Sequence, residues 1–344
     1  MNEPSSTEEY TAISQNALIE GTKIEFDVFL KNDVGGHSRY ILFCRGNQQF
    51  SAKRKEELLS KNASRLYISS KDKQKYLRYQ ENNLRKIVDD SSKTSLQKSG
   101  ALYQVAGNIT QNILEDPKSG QNIDRASAWV GNTVAHILQN ENTFSSLFEV
   151  TSNDYRTYTH SINVSVIGLL FGKYLSLDQK ELDSLGTGLL LHDIGKSTLP
   201  NEILSKYGEL TKEESNEVRK HPKAGFDLLE HREDIDGLSL RVVIQHHENN
   251  DGTGYPYGLA GEEIHLFGQI SRIVDAYDAM TSNRPYAAAM KPFATLGVIK
   301  EGNKTCFNEE LLKEFICFLG LKDRRSESRA SDTLLSSSFV AKCL

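Results

Sequence analysis

Cysteine is scarce: the four in 344 residues, Cys44, Cys306, Cys317 and Cys343, stand far apart and never in C-x-x-C spacing. That excludes a zinc knuckle and leaves no basis for a disulfide framework. Long apolar runs are missing too. The most apolar helix-like stretch, Ile162 to Leu175, is interrupted by Asn163, Ser165 and Lys173, so it is too short and too polar to span a bilayer. An excess of positive charge is also absent. The formal net charge is −5 with 25% charged residues, so no global basic field invites a nucleic acid polymer, and an anionic ligand must be met by local cations or metal. The opening residues, Met1 to Glu9, are polar and acidic, unlike a signal peptide. The expectation is a cytoplasmic protein without a membrane span, long enough for two domains.

Residues 1–20 lack a periodic apolar pattern and read as a flexible tail. From Lys23, alternation of Ile24, Phe26, Val28 and Leu30 with neighbouring residues predicts a strand. The turn signal Asp33-Val34-Gly35-Gly36 and the run Tyr40 to Cys44 extend it to a hairpin. A short helix over 54–59, a third strand over 65–68 and a polar helical stretch over 72–90 complete a small α/β domain, residues 21–90. No cluster of chemically suited side chains lies in it, so its expected roles are dimerisation, regulation or docking of a signalling partner. Residues 91–123 read as a helical linker ending in the breaker Asp116-Pro117-Lys118-Ser119-Gly120.

From Asp124, read as an N-cap, the pattern becomes that of a helical domain over residues 124–321. One helix carries His160 near its start. Another, from Asp178, runs through Leu189-Leu190-Leu191 into His192-Asp193. Thr211-Lys212-Glu213-Glu214 has the form of a capping box and opens a helix expected to end at His221-Pro222. A further helix over 238–247 finishes in His246-His247, and one over 269–280 carries Asp275 and Asp278. Between these two, Asp251-Gly252-Thr253-Gly254-Tyr255-Pro256-Tyr257-Gly258 must be a loop.

Five histidines and two aspartates thus fall at or near the ends of five helices, and a bundle can gather such positions around an inner cavity. Imidazole and carboxylate together suit iron, manganese, zinc or nickel rather than calcium. Asp193, beside His192, can offer one oxygen to each of two ions. Two ions about 3.5–4 Å apart can activate a water and clamp the attacking and leaving oxygens of an in-line displacement. Lys196, just beyond, can hold a phosphate oxygen. The chemistry expected is hydrolysis of a phosphate ester. His136 reads as an ordinary helix residue, and His37, His231 and His265 as surface residues.

These residues carry a family resemblance. His192-Asp193-Ile194-Gly195-Lys196, His246-His247-Glu248, Asp251 to Pro256, Arg272-Ile273-Val274-Asp275 and Ser282-Asn283-Arg284-Pro285-Tyr286 resemble the HD-GYP family over roughly residues 124–320. The resemblance implies a mainly α fold, an HD-type all-helical bundle preceded here by the small N-terminal α/β domain. It implies a bacterial phosphodiesterase that hydrolyses cyclic di-GMP to linear pGpG or GMP. Metal ligation then falls to His160, His192, Asp193, His221, His246, His247 and Asp275, catalysis to His192, Asp193 and Lys196, and substrate contact to Lys196, Tyr255 and Arg284. The cofactors expected are two divalent transition-metal ions, iron or manganese first and zinc or nickel as alternatives.

Three departures stand out. Some members place a Glu, ligand to a third metal, one turn before the first histidine; here that residue is Arg156. Ala287 follows the Arg-Pro-Tyr motif where a basic residue is common. Residues 322–344 are a polar run read as disordered. Two alternative functions follow: a catalytically weak cyclic-dinucleotide receptor signalling through the N-terminal domain, or hydrolysis of another cyclic dinucleotide such as cyclic GMP-AMP.

Overall fold

Alternating apolar side chains at Ile24, Phe26 and Val28 are all buried, and they anchor the first part of the chain. The structure, a computed structural model, describes residues 9–14, 17–34, 37–61, 65–139, 143–151, 159–206, 208–282, 290, 292–302 and 305–327. It divides into two compact units, Met1–Val105 and Ala106–Leu344.

In the first unit, β1 (Tyr10–Ser14), β2 (Lys23–Ile24), β3 (Val28–Val34), β4 (His37–Cys44), β5 (Gln48–Gln49) and β6 (Arg65–Ser69) form two antiparallel sheets. The larger has the order β1-β6-β3-β4, and β2 pairs with β5. Helices α1 (Ala52–Ser60), α2 (Lys73–Asn82) and α3 (Leu84–Asp89) accompany them. Two expectations are corrected. Residues 1–20 are not a tail throughout, because β1 pairs with β6, with Ile13 opposite Leu66. Ala17 and Leu18 are buried, and the Tyr79 hydroxyl accepts the Ile19 N–H at 2.8 Å. The expected strand over 24–30 is two strands with different partners, since the chain leaves β5 after Ile24 and joins β4 and β6 from Val28.

The boundary between the units falls inside α4 (Ser95–Glu115). The second unit holds α5 (Gly120–Gln139), α6 (Thr143–Thr151), α7 (Thr159–Tyr174), α8 (Gln179–Leu191), α9 (Asn201–Leu204), α10 (Lys212–Val218), α11 (His221–Leu229) and α12 (Gly237–Gln245). After the loop come α13 (Leu266–Thr281), α14 (Pro292–Gly302) and α15 (Glu309–Glu327). Helix α7 is buried on every side from Ile162 to Gly172, which marks it as the central helix of the bundle. Helices α8, α13 and α6 pack on it, and α12 bridges α8, α11 and α13. Phe315 of α15 meets Phe171 of α7 and Tyr277 of α13 edge-on, at 5.0 and 5.3 Å between ring centres.

Here too the structure amends the boundaries read from sequence. Helix α5 begins at Gly120, so Asp124 lies inside it rather than capping it. The helix from Lys212 stops at Val218, and His221 opens a new one. Pro222 is accommodated there because the first turn of a helix needs no N–H from it. The polar run expected to be disordered from residue 322 continues α15 as far as Glu327. Among the described residues no helix is long and apolar enough to cross a membrane.

Candidate metal centre

The ends of helices supply the site. The last carbonyls of a helix have no partner within it, and three histidines meet such carbonyls with Nδ1. His192, just past α8, reaches the Leu189 carbonyl at 2.7 Å. His246, just past α12, reaches that of Val243 at 2.9 Å. His221 reaches that of Val218, at the end of α10, at 2.6 Å. A carbonyl only accepts, so each ring carries a proton on Nδ1 and turns Nε2 to the interior. There the Nε2 atoms of His221 and His246 are 3.0 Å apart, and Nε2 of His192 is buried without a hydrogen-bond partner.

His160 is oriented differently, since its Nδ1 meets the Asp278 carboxylate at 2.7 Å and its Nε2 faces Asp275 at 3.1 Å. Asp193 lies between the two sets. Its Oδ1 is 3.3 Å from His221 Nε2 and 3.8 Å from His246 Nε2. Its Oδ2 is 3.5 Å from His192 Nε2 and 3.9 Å from His160 Nε2, and it also takes the Lys196 ammonium at 2.6 Å.

Three overlapping groups bring a donor atom from each residue within 4.8 Å of the others: His221, His246 and His247; His160, His192 and Asp275; His192, Asp193 and His246. A metal fits this donor set. Seven sequence-predicted residues therefore converge from α7, α8, α11, α12, α13 and the turn after α8. His136 is buried on α5 and belongs to none of the three groups. Arg284 lies outside the described residues, as do Arg156 and Ala287.

The electrostatics suit cation binding. Burial lowers the pKa of His192 and holds that of His246 well below the ordinary histidine value, so both rings are neutral donors. Burial also pushes His247 down to about 3, against the pull of the Asp275 carboxylate. For Asp193 burial favours the neutral acid, but the Lys196 ammonium and the neighbouring histidines outweigh it and hold the carboxyl well below its usual range. Asp275 is likewise held low against burial, by His160 above all. Burial opposes charge on His160, yet Asp275 and Asp278 raise it to about 10. Two anionic carboxylates in a buried pocket beside the neutral imidazoles of His192, His246 and His247 favour a cation.

Two glycines permit this approach of backbones. A Cβ on Gly195 would sit 2.0 Å from the His221 carbonyl oxygen, so glycine alone lets the 194–198 turn press on the start of α11. A Cβ on Gly254 would sit 2.2 Å from the Asn249 nitrogen. The loop beyond is held from inside by Glu248, only 1% exposed, whose carboxylate accepts the N–H groups of Tyr257 at 2.8 Å and Leu259 at 3.0 Å. The Tyr255 N–H donates to the His247 carbonyl at 3.1 Å, and the Tyr255 ring stacks on the His247 ring at 4.7 Å.

Sequence reading gave no role to Asp278, Glu248 or His265. Asp278 could have been found from its i,i+3 spacing to Asp275, which sets both on one helix face. For Glu248 only its place between the His-His pair and the glycine loop was available. His265, expected at the surface, caps α13 by accepting the Phe267 N–H at 3.1 Å.

Residues 133–311 match the family described as an HD domain. A cyclic di-GMP phosphodiesterase of Pseudomonas aeruginosa is 35% identical over 211 residues, 61% of this chain and 51% of that protein. A 3'3'-cGAMP-specific phosphodiesterase of Vibrio cholerae is 36% identical over 166 residues, 48% of this chain and 35% of that protein. The chain thus spans about half or less of the length of these curated relatives. A solved HDG"Y"P protein of Bdellovibrio bacteriovorus shares the fold with a TM-score of 0.63 at 20% identity, covering 91% of this chain and all of that one.

Proposed function

The chain belongs to the HD domain family, and on that premise we propose that it is a metal-dependent phosphodiesterase hydrolysing cyclic di-GMP. Asp193 supports this most directly, because its two oxygens face separate sets of histidines. His160, His192 and Asp275 would hold one divalent ion and His221, His246 and His247 another, with Asp193 available to both. When bound, the ions supply Lewis acidity and an activated water to an in-line displacement at phosphorus. Iron or manganese suits the mixed imidazole and carboxylate donors, with zinc or nickel as alternatives.

The chain's own residues do the rest. The Nδ1 bonds to helix-end carbonyls keep three imidazoles turned inward, so little reorganisation is needed on binding. Lys196, pivoting from Asp193, holds a phosphate oxygen. Tyr255 keeps its proton, because burial and then the Asp275 and Asp193 carboxylates push its pKa up, and it serves as a hydrogen-bond donor at the pocket wall. Arg284 completes the substrate contacts. The N-terminal unit serves dimerisation or docking of a signalling partner.

The test is hydrolysis of cyclic di-GMP by the purified chain with added Mn²⁺ or Fe²⁺ under reducing conditions, with metal analysis alongside. Linear pGpG or GMP should appear, with close to two ions per chain. Replacing His192→Ala and Asp193→Ala together should cost more than the ~100-fold typical of losing an outer partner of a metal ligand, with helical circular dichroism retained. Turnover that survives this change would refute the assignment. The relative of Vibrio cholerae supports a second reading, hydrolysis of 3'3'-cGAMP, and assaying both dinucleotides separates the two.

A further inference from the structure

Arg219 follows α10 and lies two residues before His221, with its guanidinium over the Tyr255 ring at 5.2 Å. Tyr255 in turn stacks on His247, so Arg219 stands one aromatic ring away from the metal donors. Its charge differs from those around it. Lys206 pairs with Glu214, Lys220 with Glu217 and Lys223 with Asp227, whereas Arg219 has no carboxylate partner among the described residues. An exposed arginine ordinarily samples many rotamers; here the ring offers it a fixed seat at the mouth of the pocket. With a face stacked on His247 and a guanidinium over it, the Tyr255 ring is poorly placed to stack on a base. It acts as a pillar that carries a cation.

Given that the metal centre is a phosphodiesterase site, we propose that Arg219 forms a second anion subsite at its rim, taking the phosphate of a cyclic dinucleotide that is not being cut. A cyclic dinucleotide carries two phosphodiesters. While one lies at the metals beside Lys196, the other presents unpaired charge beyond the first ring of side chains. A planar guanidinium with free N–H groups matches two phosphate oxygens at once, which an ammonium cannot do. The subsite would favour dianionic diesters over single ones at the same metal centre.

The test compares the wild type with Arg219→Gln and Arg219→Lys on two substrates, cyclic di-GMP and bis(p-nitrophenyl) phosphate, which has one phosphate only. Arg219→Gln should raise KM for cyclic di-GMP about tenfold, the worth of one charge-assisted contact, with kcat little changed. Hydrolysis of bis(p-nitrophenyl) phosphate should be unaffected, and Arg219→Lys should recover part of the loss. Cyclic di-GMP should also compete less well, by the same factor, against bis(p-nitrophenyl) phosphate in the Gln variant. That competition is readable even if the dinucleotide binds without turnover. An unchanged KM and competition constant overturns the subsite alone. Equal losses on both substrates overturn it too, since Arg219 would then only prop up Tyr255. A wild type inert on both substrates with Mn²⁺ or Fe²⁺ sinks the phosphodiesterase reading, and the subsite with it.

Discussion

At the scale of single residues, Asp278 orients His160 through a 2.7 Å contact to Nδ1 while Ser282 donates to its other oxygen at 3.0 Å. An imidazole held this way presents Nε2 in one direction. Asp278→Asn keeps the shape but offers a neutral amide, so His160 loses both charge support and a fixed orientation. The expected result is a fall of ten- to a hundredfold in metal affinity, measured by competition with a metallochromic chelator. Excess Mn²⁺ should restore activity, which a folding defect would not allow. Unaltered metal affinity would remove Asp278 from any positioning role. The candidate metal donors were legible as a set, because five histidines and two aspartates fall at or near the ends of five helices. Asp278 shares a helix face with Asp275, but its pairing with His160 was not readable because the two are 118 positions apart.

Among elements, the loop between α12 and α13 depends on one buried carboxylate. Glu248, itself buried, accepts two backbone N–H groups of the loop, and it therefore fixes Tyr257 and Leu259 relative to the end of α12. Glu248→Ala removes the acceptor of both N–H groups, at a cost of about 1–2 kcal/mol, detectable as a lower midpoint in denaturant unfolding. KM should rise as well, since Tyr255 lies in the same loop. A variant as stable as the wild type would show that the loop is held by other contacts. The helices and the loop were readable from capping boxes, glycines and apolar periodicity. The capping box expected at Thr211 is formed, with Glu214 N–H donating to the Thr211 hydroxyl at 3.2 Å. Strand β1 was not readable, because its five residues bury only Ile13 and its partner β6 lies more than 50 positions later.

For the whole molecule, the proposed donors come from separate helices, so metal binding would be coupled to folding of the second unit. Ions that bind the folded unit but not the unfolded chain stabilise it by about 2.7 kcal/mol at a concentration one hundred times Kd. For a unit of this size that corresponds to a midpoint rise of roughly 5–10 °C. Calorimetry with and without EDTA should show this shift in the transition of the unit after Val105. No shift would mean that the donors do not hold an ion between helices.

What the sequence by itself determined is local: which stretches are helical, and which donors stand near the helix ends. Helical and strand periodicities repeat every few residues, so a short window contains them. Tertiary structure alone decided the rest. It brought His160 to Asp275 and Asp278, turned the two oxygens of Asp193 toward different histidines, and seated Arg219 on Tyr255. It also folded β1 into the sheet. Such contacts join residues far apart in the chain. They exist only once burial has selected one packing of the helices, and no short window of sequence records that choice.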